Sequence, residues 1–402
     1  PTATLTGTVN WARDDHGVFI QWKDRNEPLE VPILALDNRT LSNKLNVNLS
    51  YYRLIGSRAG LTAKSFVYRT SFDNQVEGEQ SSRAYKFGQE VQADLQPSDL
   101  LSLTLGAEWI GDRTRSSPTM FGDHSGLNLA AYAQAEIRAG DRATASAGAR
   151  YDRHRTDSRP GAHRVSPKLG LTFHATRATV LRGALGWGFR GPSIAEIYTD
   201  ATFAGVPIAP NPDLDAERSL SCEIGIQHRI GGLAQLGAAG FWSRYRDLIE
   251  ARPDASGVVS FRNVSRGRIS GVEASLEASW RRLRIEGSYT YLRATEDLPS
   301  GKDPLPYRPR HVAHGSLQID LTRLALQGRM TFRSRIDRAS GLFPEGARDL
   351  IEIYLVDLSI RIPLGPANLT LTAHNLLEYN YAEVERNLGP PRRFALGLSG
   401  TL

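Results

Sequence analysis

The chain has 402 residues, 40% of them hydrophobic and 23% charged, and carries a formal net charge of +6. No stretch approaches the roughly 18 apolar residues of a membrane helix, which excludes a helical membrane protein but leaves open a β-barrel, whose lipid-facing and lumen-facing residues alternate. The basic residues form no dense run with interleaved aromatics, so we expect solvated or lumen-facing arginines and no nucleic-acid partner.

From the first residues onward, apolar and polar side chains alternate in segments of about ten residues. In one segment, Leu101, Leu103 and Leu105 share a face, and polar or small residues occupy the other. The same alternation recurs at 129–138, 283–292 and 354–362. We count about nineteen such segments, and a period of two predicts strands.

The connections between these segments alternate in length. Short turns are predicted at Arg13–Gly17, Leu54–Arg58, Leu95–Asp99, Arg138–Asp141, His174–Ala178, Arg229–Leu233, Ser279–Leu283, Ile319–Arg323 and Ile362–Ala367. Longer, polar connections with Pro or Gly are predicted at Asp24–Thr40, Arg113–His124, Arg190–Ala216, Ala294–Pro309 and Ile336–Asp349. Short turns at one end and long loops at the other are typical of a bacterial outer-membrane barrel.

Two soluble all-β architectures fit less well. A sandwich would end after about seven to nine strands, and a propeller would repeat a blade motif about every 40–50 residues. A soluble barrel of this many strands would be too wide for side chains to fill. The sequence therefore predicts an all-β fold, a transmembrane antiparallel β-barrel. Aromatic residues near segment ends suit an interfacial girdle, namely Trp11, Trp22, Tyr51, Tyr52, Trp109, Trp187, Trp242 and Trp280.

The longest of these connections, Arg190–Ala216, begins with the turn residues Gly191-Pro192-Ser193. Glu196 follows Ser193 by three positions, a spacing that predicts a short helix with a capping box. Further along this connection, apolar residues lie where a loop has no core to bury them, which is typical of a binding surface.

Several motifs, taken in order, resemble those of TonB-dependent outer-membrane receptors. The segment Phe189–Tyr198 resembles the Phe-Arg-x-Pro-Ser element of that family, and the next strand entry matches at Asn211, Pro212, Leu214, Glu217, Ser219, Glu223 and Gly225. Later matches are Phe241–Glu250, Asn263–Glu277, Tyr307–Leu317, Leu371–Glu383 and Gly389–Leu402. In the segment Asn263–Glu277 the glycine is shifted by two positions, and Glu378 replaces an aspartate of the family pattern. The resemblance covers roughly Tyr85–Leu402 and is most similar to the cobalamin-receptor branch.

The resemblance implies a barrel of about 22 strands with an N-terminal plug domain inside it. About 19 of those strands are expected within residues 1–402, so we expect a partial barrel that lacks the plug and the first strands. The family also carries a TonB-box peptide and a terminal aromatic, and neither occurs in this sequence, which ends Thr401-Leu402.

By the same resemblance, the expected function is active uptake of a scarce solute of the iron-siderophore or cobalamin class across a Gram-negative outer membrane. The implied partners are outer-membrane lipid, the protein's own plug domain, a TonB-type energy-transducing complex and a small-molecule solute such as a metal chelate. A passive porin-like or structural barrel is the alternative. No enzyme is expected, because no catalytic motif or phosphate loop occurs. Nor is a cofactor or resident metal expected: His311 and His314 fall on opposite faces of a strand, and Glu27, Glu30 and Asp37 suit solvated acids better than a calcium site.

Two groups of side chains are candidates for these roles. Arg190 and Glu196 are expected to tie the long loop to the barrel rim. Solute contacts are expected from Arg190, Tyr198, Phe203, Val206 and Ile208. Lumen-facing or plug-facing positions are expected at Glu108, Glu136, Arg138, Glu273, Glu277, Asp320, Arg329, Arg333, Asp357 and Arg361.

Overall fold

The structure is a computed structural model that describes residues 2–17, 23, 30–75, 79–117, 120–203, 206–298, 300–339, 351–384 and 387–400. The first half contains β1 (Ala3–Gly17), β2 (Arg39–Ile55), β3 (Ala59–Gln75), β4 (Glu79–Ser98), β5 (Leu101–Ser116), β6 (His124–Ala139), β7 (Ala143–Thr156), β8 (Ala162–His174) and β9 (Thr179–Arg190). The loop that follows contains α1 (Ile194–Tyr198), β10 (Ala201–Phe203) and β11 (Val206–Ala209). A short 3-10 helix lies at Ile33–Ala35.

The second half contains β12 (Glu217–Ile230), β13 (Ala234–Pro253), β14 (Val259–Trp280), β15 (Leu283–Leu298), β16 (Gly301–Pro304), β17 (His311–Asp320), β18 (Ala325–Arg333), β19 (Ile353–Leu364), β20 (Ala367–His374), β21 (Ala382–Val384), β22 (Asn387–Leu388) and β23 (Arg393–Gly400). All strands except β10, β11, β16, β21 and β22 form one antiparallel meander, in which each strand pairs with the next in the chain. Among the residues described, no helix is long and apolar enough to cross a membrane.

The two faces of the meander differ as the alternation predicts. Leu105 and Val272 are 46% and 53% exposed and belong to the apolar face. Thr104 and Glu108 lie on the other face of β5, where Thr104 donates to Asp94. An exposed apolar stripe about ten residues long on each strand is suited to lipid, and the polar face lines the inside of the barrel.

Eight of the nine predicted short turns are confirmed, because each joins two consecutive meander strands. The prediction at Arg13–Gly17 is wrong. These residues continue β1 in register with β2, from Arg13 opposite Asn43 to Gly17 opposite Arg39, and the Arg39 Nε donates to Asp15 at 2.6 Å. The meander therefore has one strand fewer than the count made from the sequence.

Several predicted long loops are shorter than expected, because their flanking strands continue into the predicted loop segments. For example, β5 continues to Ser116 and β15 continues to Leu298, where β16 pairs back onto it. Most of the loop predicted at Ile336–Asp349 and part of Asp24–Thr40 lie outside the described residues.

The first and last strands of the meander each have one partner among the described residues. β1 pairs with β2, and β23 pairs with β20. Apolar side chains of both strands are highly exposed, at 68% for Val9 and 76% for Phe394. One hydrogen-bonding edge of each of these two strands is therefore unpaired within the described part of the chain.

Candidate functional site

The loop of residues 191–216 begins with the helix α1, which the sequence predicts. Ser193 is its N-cap, with extended backbone angles. The Ser193 hydroxyl accepts from the Glu196 backbone N–H at 3.2 Å, and the Glu196 carboxylate accepts from the Ser193 N–H at 2.8 Å. This reciprocal capping box stabilises a helix of five residues that has little stability of its own.

Arg190 fastens this helix to the start of the next barrel strand. Its guanidinium donates two hydrogen bonds to Glu196, at 2.9 and 3.0 Å, and two to Glu217, at 2.6 and 2.7 Å. Partial burial works to raise the pKa of Glu196, but the hydrogen bonds from Arg190 and Ser193 outweigh it, and the net pKa is lowered. The carboxylate is therefore held in its charged form at the barrel rim.

A small apolar core lies between the loop and the extracellular end of the barrel. Ile197 is fully buried, and it packs with Leu214 and Ile249. The Asn211 backbone N–H donates to the Ile197 carbonyl at 2.9 Å, and the Asn211 side chain donates to the Phe261 carbonyl at 2.7 Å. Asn211 and Leu214 of the family-like motif thus anchor the loop.

Tyr198 closes one side of the loop through its ring and its hydroxyl. The ring stacks on that of His124, with centroids 3.5 Å apart and planes 4° apart. The hydroxyl is hydrogen-bonded to Asp157, which also lies 2.7 Å from His124 Nδ1. Burial works to raise the pKa of Asp157, but its hydrogen bonds from Ser125, His124 and Tyr198 lower it overall.

His154 supports the loop from below. Its Nδ1 lies 2.6 Å from the Asn128 side-chain oxygen, and its Nε2 lies 3.1 Å from the Pro192 carbonyl. Gly191 lies directly against the His154 ring, and a Cβ at this position would overlap the ring. Glycine is therefore required by the close approach of the loop to the barrel wall.

A concavity of about 680 Å³ lies between residues 190–195 of the loop and the inner face of β3–β7. Its wall carries charges of both signs. Arg150 is ion-paired with Glu108 and with Asp152, the latter at 2.8 Å, and Lys86 lies 3.4 Å from Asp112. Such a concavity offers donors and acceptors to a polar solute that enters from the extracellular side.

The five candidate solute contacts separate in the structure. Arg190 and Tyr198 lie at the anchoring points just described, and Arg190 also lines the concavity. Val206 and Ile208 are half-buried in the hairpin of β10 and β11, and Ile208 pairs in parallel with Val259 of β14. The side chain of Phe203 lies outside the described part. Contact between these residues and a solute stays a prediction.

The ten candidate lumen positions all fall on the polar face of their strands. Glu108 pairs with Arg150, and Arg333 lies 3.1 Å from Glu383. Asp357 accepts from the Asn375 N–H at 3.0 Å, and Arg329 is directly opposite it. The other positions are Glu136, Arg138, Glu273, Glu277, Asp320 and Arg361. Whether they contact a plug domain stays a prediction.

Sequence reasoning missed the residues that support the loop. Asp152, His154 and Asp157 belong to the segment YDRHRTD (151–157), whose alternation places Asp152 and His154 on the inner face. This alternation was a signal from which the inner position of Asp152 and His154 could have been predicted. The partners of His154, Asn128 and Pro192, lie 26 and 38 residues away from it, and the segment itself does not indicate them.

Several arginines of the strands lie on the outer face of the barrel and not in the lumen. Arg218, Arg246 and Arg266 have the same strand parity as lipid-facing residues such as Ile224 and Val272 and therefore lie on the outer face. In the described ranges, no group of three or more His, Cys, Asp or Glu residues is arranged to hold a metal ion. Glu27 lies outside those ranges, and Glu30 is 2.9 Å from Lys23.

Residues 2–376 match a family model described as "TonB dependent receptor-like, beta-barrel". The chain belongs to the TonB-dependent receptor family. Membership in this family places the protein in a Gram-negative outer membrane.

The relatives of this TonB-dependent receptor barrel include the iron-regulated outer membrane virulence protein of Vibrio cholerae, which is 25% identical over 267 residues. That match covers 60% of this chain and 40% of the relative. Among solved structures, the FrpB iron transporter of Neisseria meningitidis (F5-1 variant) matches with a TM-score of 0.78 at 14% identity, covering 98% of this chain and 69% of that one. The siderophore receptor PiuA of Acinetobacter baumannii matches with a TM-score of 0.78 at 13% identity, covering 99% and 72%. These structures establish a shared fold.

Proposed function

We propose that this barrel takes part in active uptake of a metal chelate of the iron-siderophore class, captured at its extracellular mouth. The observation that carries the proposal is the concavity beneath the anchored loop, with Arg150, Lys86 and their carboxylate partners in its wall. A chelate bears both hydrogen-bond acceptors and charge, and a wall of mixed charge can match both. One relative is named as iron-regulated and one structural neighbour as an iron transporter, and both names support the same solute class.

The anchored loop suits capture better than free passage. Arg190 and the small core around Ile197 hold residues 191–216 against the inner wall, so the loop narrows the mouth. In a passive porin the lumen must stay open for diffusion. A loop fastened over a polar concavity instead presents a binding surface to the outside.

We also propose a plug domain and a TonB-type complex as partners. The open edges of β1 and β23 are available for pairing with further strands, and the polar inner face offers ion pairs to a domain within the lumen. This arrangement would make the described residues one part of a receptor barrel.

Uptake measurements in cells that express the full-length receptor test the proposal. Radioiron-loaded hydroxamate and catecholate siderophores and labelled cyanocobalamin would each be supplied, with and without a protonophore. Energy-dependent accumulation of an iron chelate is the expected result. Accumulation of cyanocobalamin alone would assign the cobalamin class instead. Passive entry that the protonophore does not change would identify a porin.

Deletion of residues 201–210 tests the role of the loop. Removing the β10–β11 hairpin should weaken chelate binding and uptake but leave barrel assembly intact, because the Arg190 and Asn211 anchors lie outside the deleted segment. Unchanged affinity and uptake would limit this hairpin to a structural role. Heat-modifiable migration in gel electrophoresis would verify assembly.

A further inference from the structure

A group of arginines covers the outer face of β12–β15 at the extracellular end. The group, here called the arginine patch, consists of Arg218, Arg244, Arg246, Arg266, Arg268 and Arg293. All six lie on the same strand face as lipid-facing residues, such as Ile224 on β12 and Val272 on β14. Their side chains therefore project away from the lumen.

The strand register brings these positive charges together. Arg246 is directly opposite Arg218 on one side and Arg266 on the other, so three neighbouring strands form a row of three arginines. In the row beneath, Arg244 is directly opposite Arg268. Like charges directly opposite each other destabilise a sheet, so the arrangement needs a compensating anion.

The described part of the chain supplies little of that compensation. Arg268 donates to Asp297 at 3.1 Å, and it is the one member of the patch with an ion pair there. The Nε of Arg244 is buried and has no hydrogen-bond partner. A buried guanidinium nitrogen without a partner is costly, and an external acceptor would satisfy it.

The position of the patch indicates where that acceptor would come from. Arg244 lies ten residues beyond the start of β13 at Ala234, and a strand needs about 9–11 residues to cross the hydrocarbon core. The row of Arg244 continues through Leu220 to Trp187, and in the next row, which contains Arg293, Trp242 is opposite Cys222. The arginines are thus at the outer interface, above an apolar and aromatic stripe.

We propose that the arginine patch binds the phosphorylated headgroup of an outer-leaflet lipid, with the acyl chains lying along the apolar stripe. Arginine presents a planar fork of donors that matches phosphate oxygens, and rows of arginines suit a headgroup with more than one phosphate. A free phosphate ion would use the charges but leave the stripe unexplained. The lipid uses both features, and this site is separate from solute capture in the lumen.

Binding of a defined lipid to the purified full-length receptor tests this inference. The probes are nanodiscs that contain either diphosphorylated lipid A or its fully dephosphorylated form. The variant R218Q/R246Q/R266Q should bind the diphosphorylated lipid at least tenfold more weakly than the unaltered protein. Triple replacement by Lys should recover part of the affinity, since it keeps the charge but loses the fork. Neither protein should prefer the dephosphorylated form.

A matched control carries the same loss of charge at the opposite rim, as R142Q/R177Q/R282Q, and should bind like the unaltered protein. Thermal unfolding provides a second readout: the diphosphorylated lipid should raise the Tm of the control and not that of the patch variant. Equal lipid affinity in the patch variant and the control would overturn the proposal. So would full competition by millimolar inorganic phosphate, which would identify a simple anion site.

Discussion

At the extracellular end, the arginines on the two faces of the barrel wall differ in their ionic partners. On the inner face, Arg150 and Arg190 each contact two carboxylates of the same chain. On the outer face, three arginines are directly opposite one another on adjacent strands, namely Arg218, Arg246 and Arg266. They have no acidic partner among the described residues. Carboxylates of the protein neutralise the inner arginines, whereas the outer arginines need anions from the surroundings of the protein.

The inner arrangement follows from partial burial. The Glu296 side chain is 2% exposed and accepts from Arg252 at 2.5 Å and from Arg338 at 2.6 Å. Removing water from a carboxylate is costly unless donors replace it, so buried acids recruit arginines. The outer arginines lie at a membrane interface, where lipid headgroups can take that role.

A charge introduced at mid-membrane should distinguish the lipid-facing side from the lumen-facing side most clearly, by its cost in folding free energy. Leu105→Arg places a cation on the lipid face and should cost about 2–4 kcal/mol in the free energy of folding into vesicles. Thr104→Arg, on the neighbouring inner position of β5, should cost much less because Asp94 accepts from this side and the lumen is polar. Urea titration in lipid vesicles would measure both. Equal losses would mean that the assignment of the faces is wrong.

A substitution of Arg190 should show how much the inner ion pairs stabilise the closed loop. Arg190→Gln should lower the free energy that holds residues 191–216 closed by about 1–3 kcal/mol, because it leaves Glu196 and Glu217 without their cation. The upper value applies only if solvent screening is weak, since the Arg190 side chain is 46% exposed. Limited proteolysis of the loop would measure the change.

Arg182→Gln is the matched control on the same strand and face. Arg182 donates one hydrogen bond, to Gln227 at 3.0 Å, and supports no loop. Cleavage of the loop should be unchanged in this variant. If both variants were cleaved alike, the loop would not depend on Arg190.

Acid should open the same loop. The pKa values of Glu196 and Asp157 are both lowered in the folded protein, so their contribution is fully present above the ordinary carboxyl values of about 4 and is lost as the pH falls through the lowered ones. Hydrogen exchange of residues 191–200 should be steady from pH 8 to 5, after correction for the intrinsic rate, and should rise below about pH 4.

The Glu196→Gln variant sharpens this test. Its loop should already be more open at neutral pH, and the acid-induced rise should be smaller. An unaltered rise would assign the acid sensitivity to other carboxylates.

The smallest expected effect concerns the Tyr198 hydroxyl. Tyr198→Phe keeps the ring stacked on His124 but removes the hydrogen bond to Asp157, which should cost the loop about 1 kcal/mol. Loop exchange rates should rise by about fivefold, and barrel stability should not change. A loss as large as that of Arg190→Gln would show that the hydroxyl, and not the stack, positions the helix.

Most of the architecture could be predicted from the sequence, because a meander is a fold built from local pairings. Each strand pairs with the next, so alternation and turns such as Arg138–Asp141 determine the neighbours. The capping box at Ser193 and Glu196 is equally local, spanning three residues. The failure at Arg13–Gly17 has the same origin, since polar residues with a terminal Gly resemble a turn until the pairing with β2 is known.

The sequence alone therefore determined the strands, their order and the face on which each side chain lies, because a period of two depends only on neighbours. The tertiary structure decided which charges meet. Arg150 reaches Glu108 across 42 positions, His154 reaches the Pro192 carbonyl across 38, and Arg218, Arg246 and Arg266 share a row through the registers of two hairpins. Register depends on the length of every turn and on the stagger of the strands, and a shift by one pair of residues would separate each of these contacts.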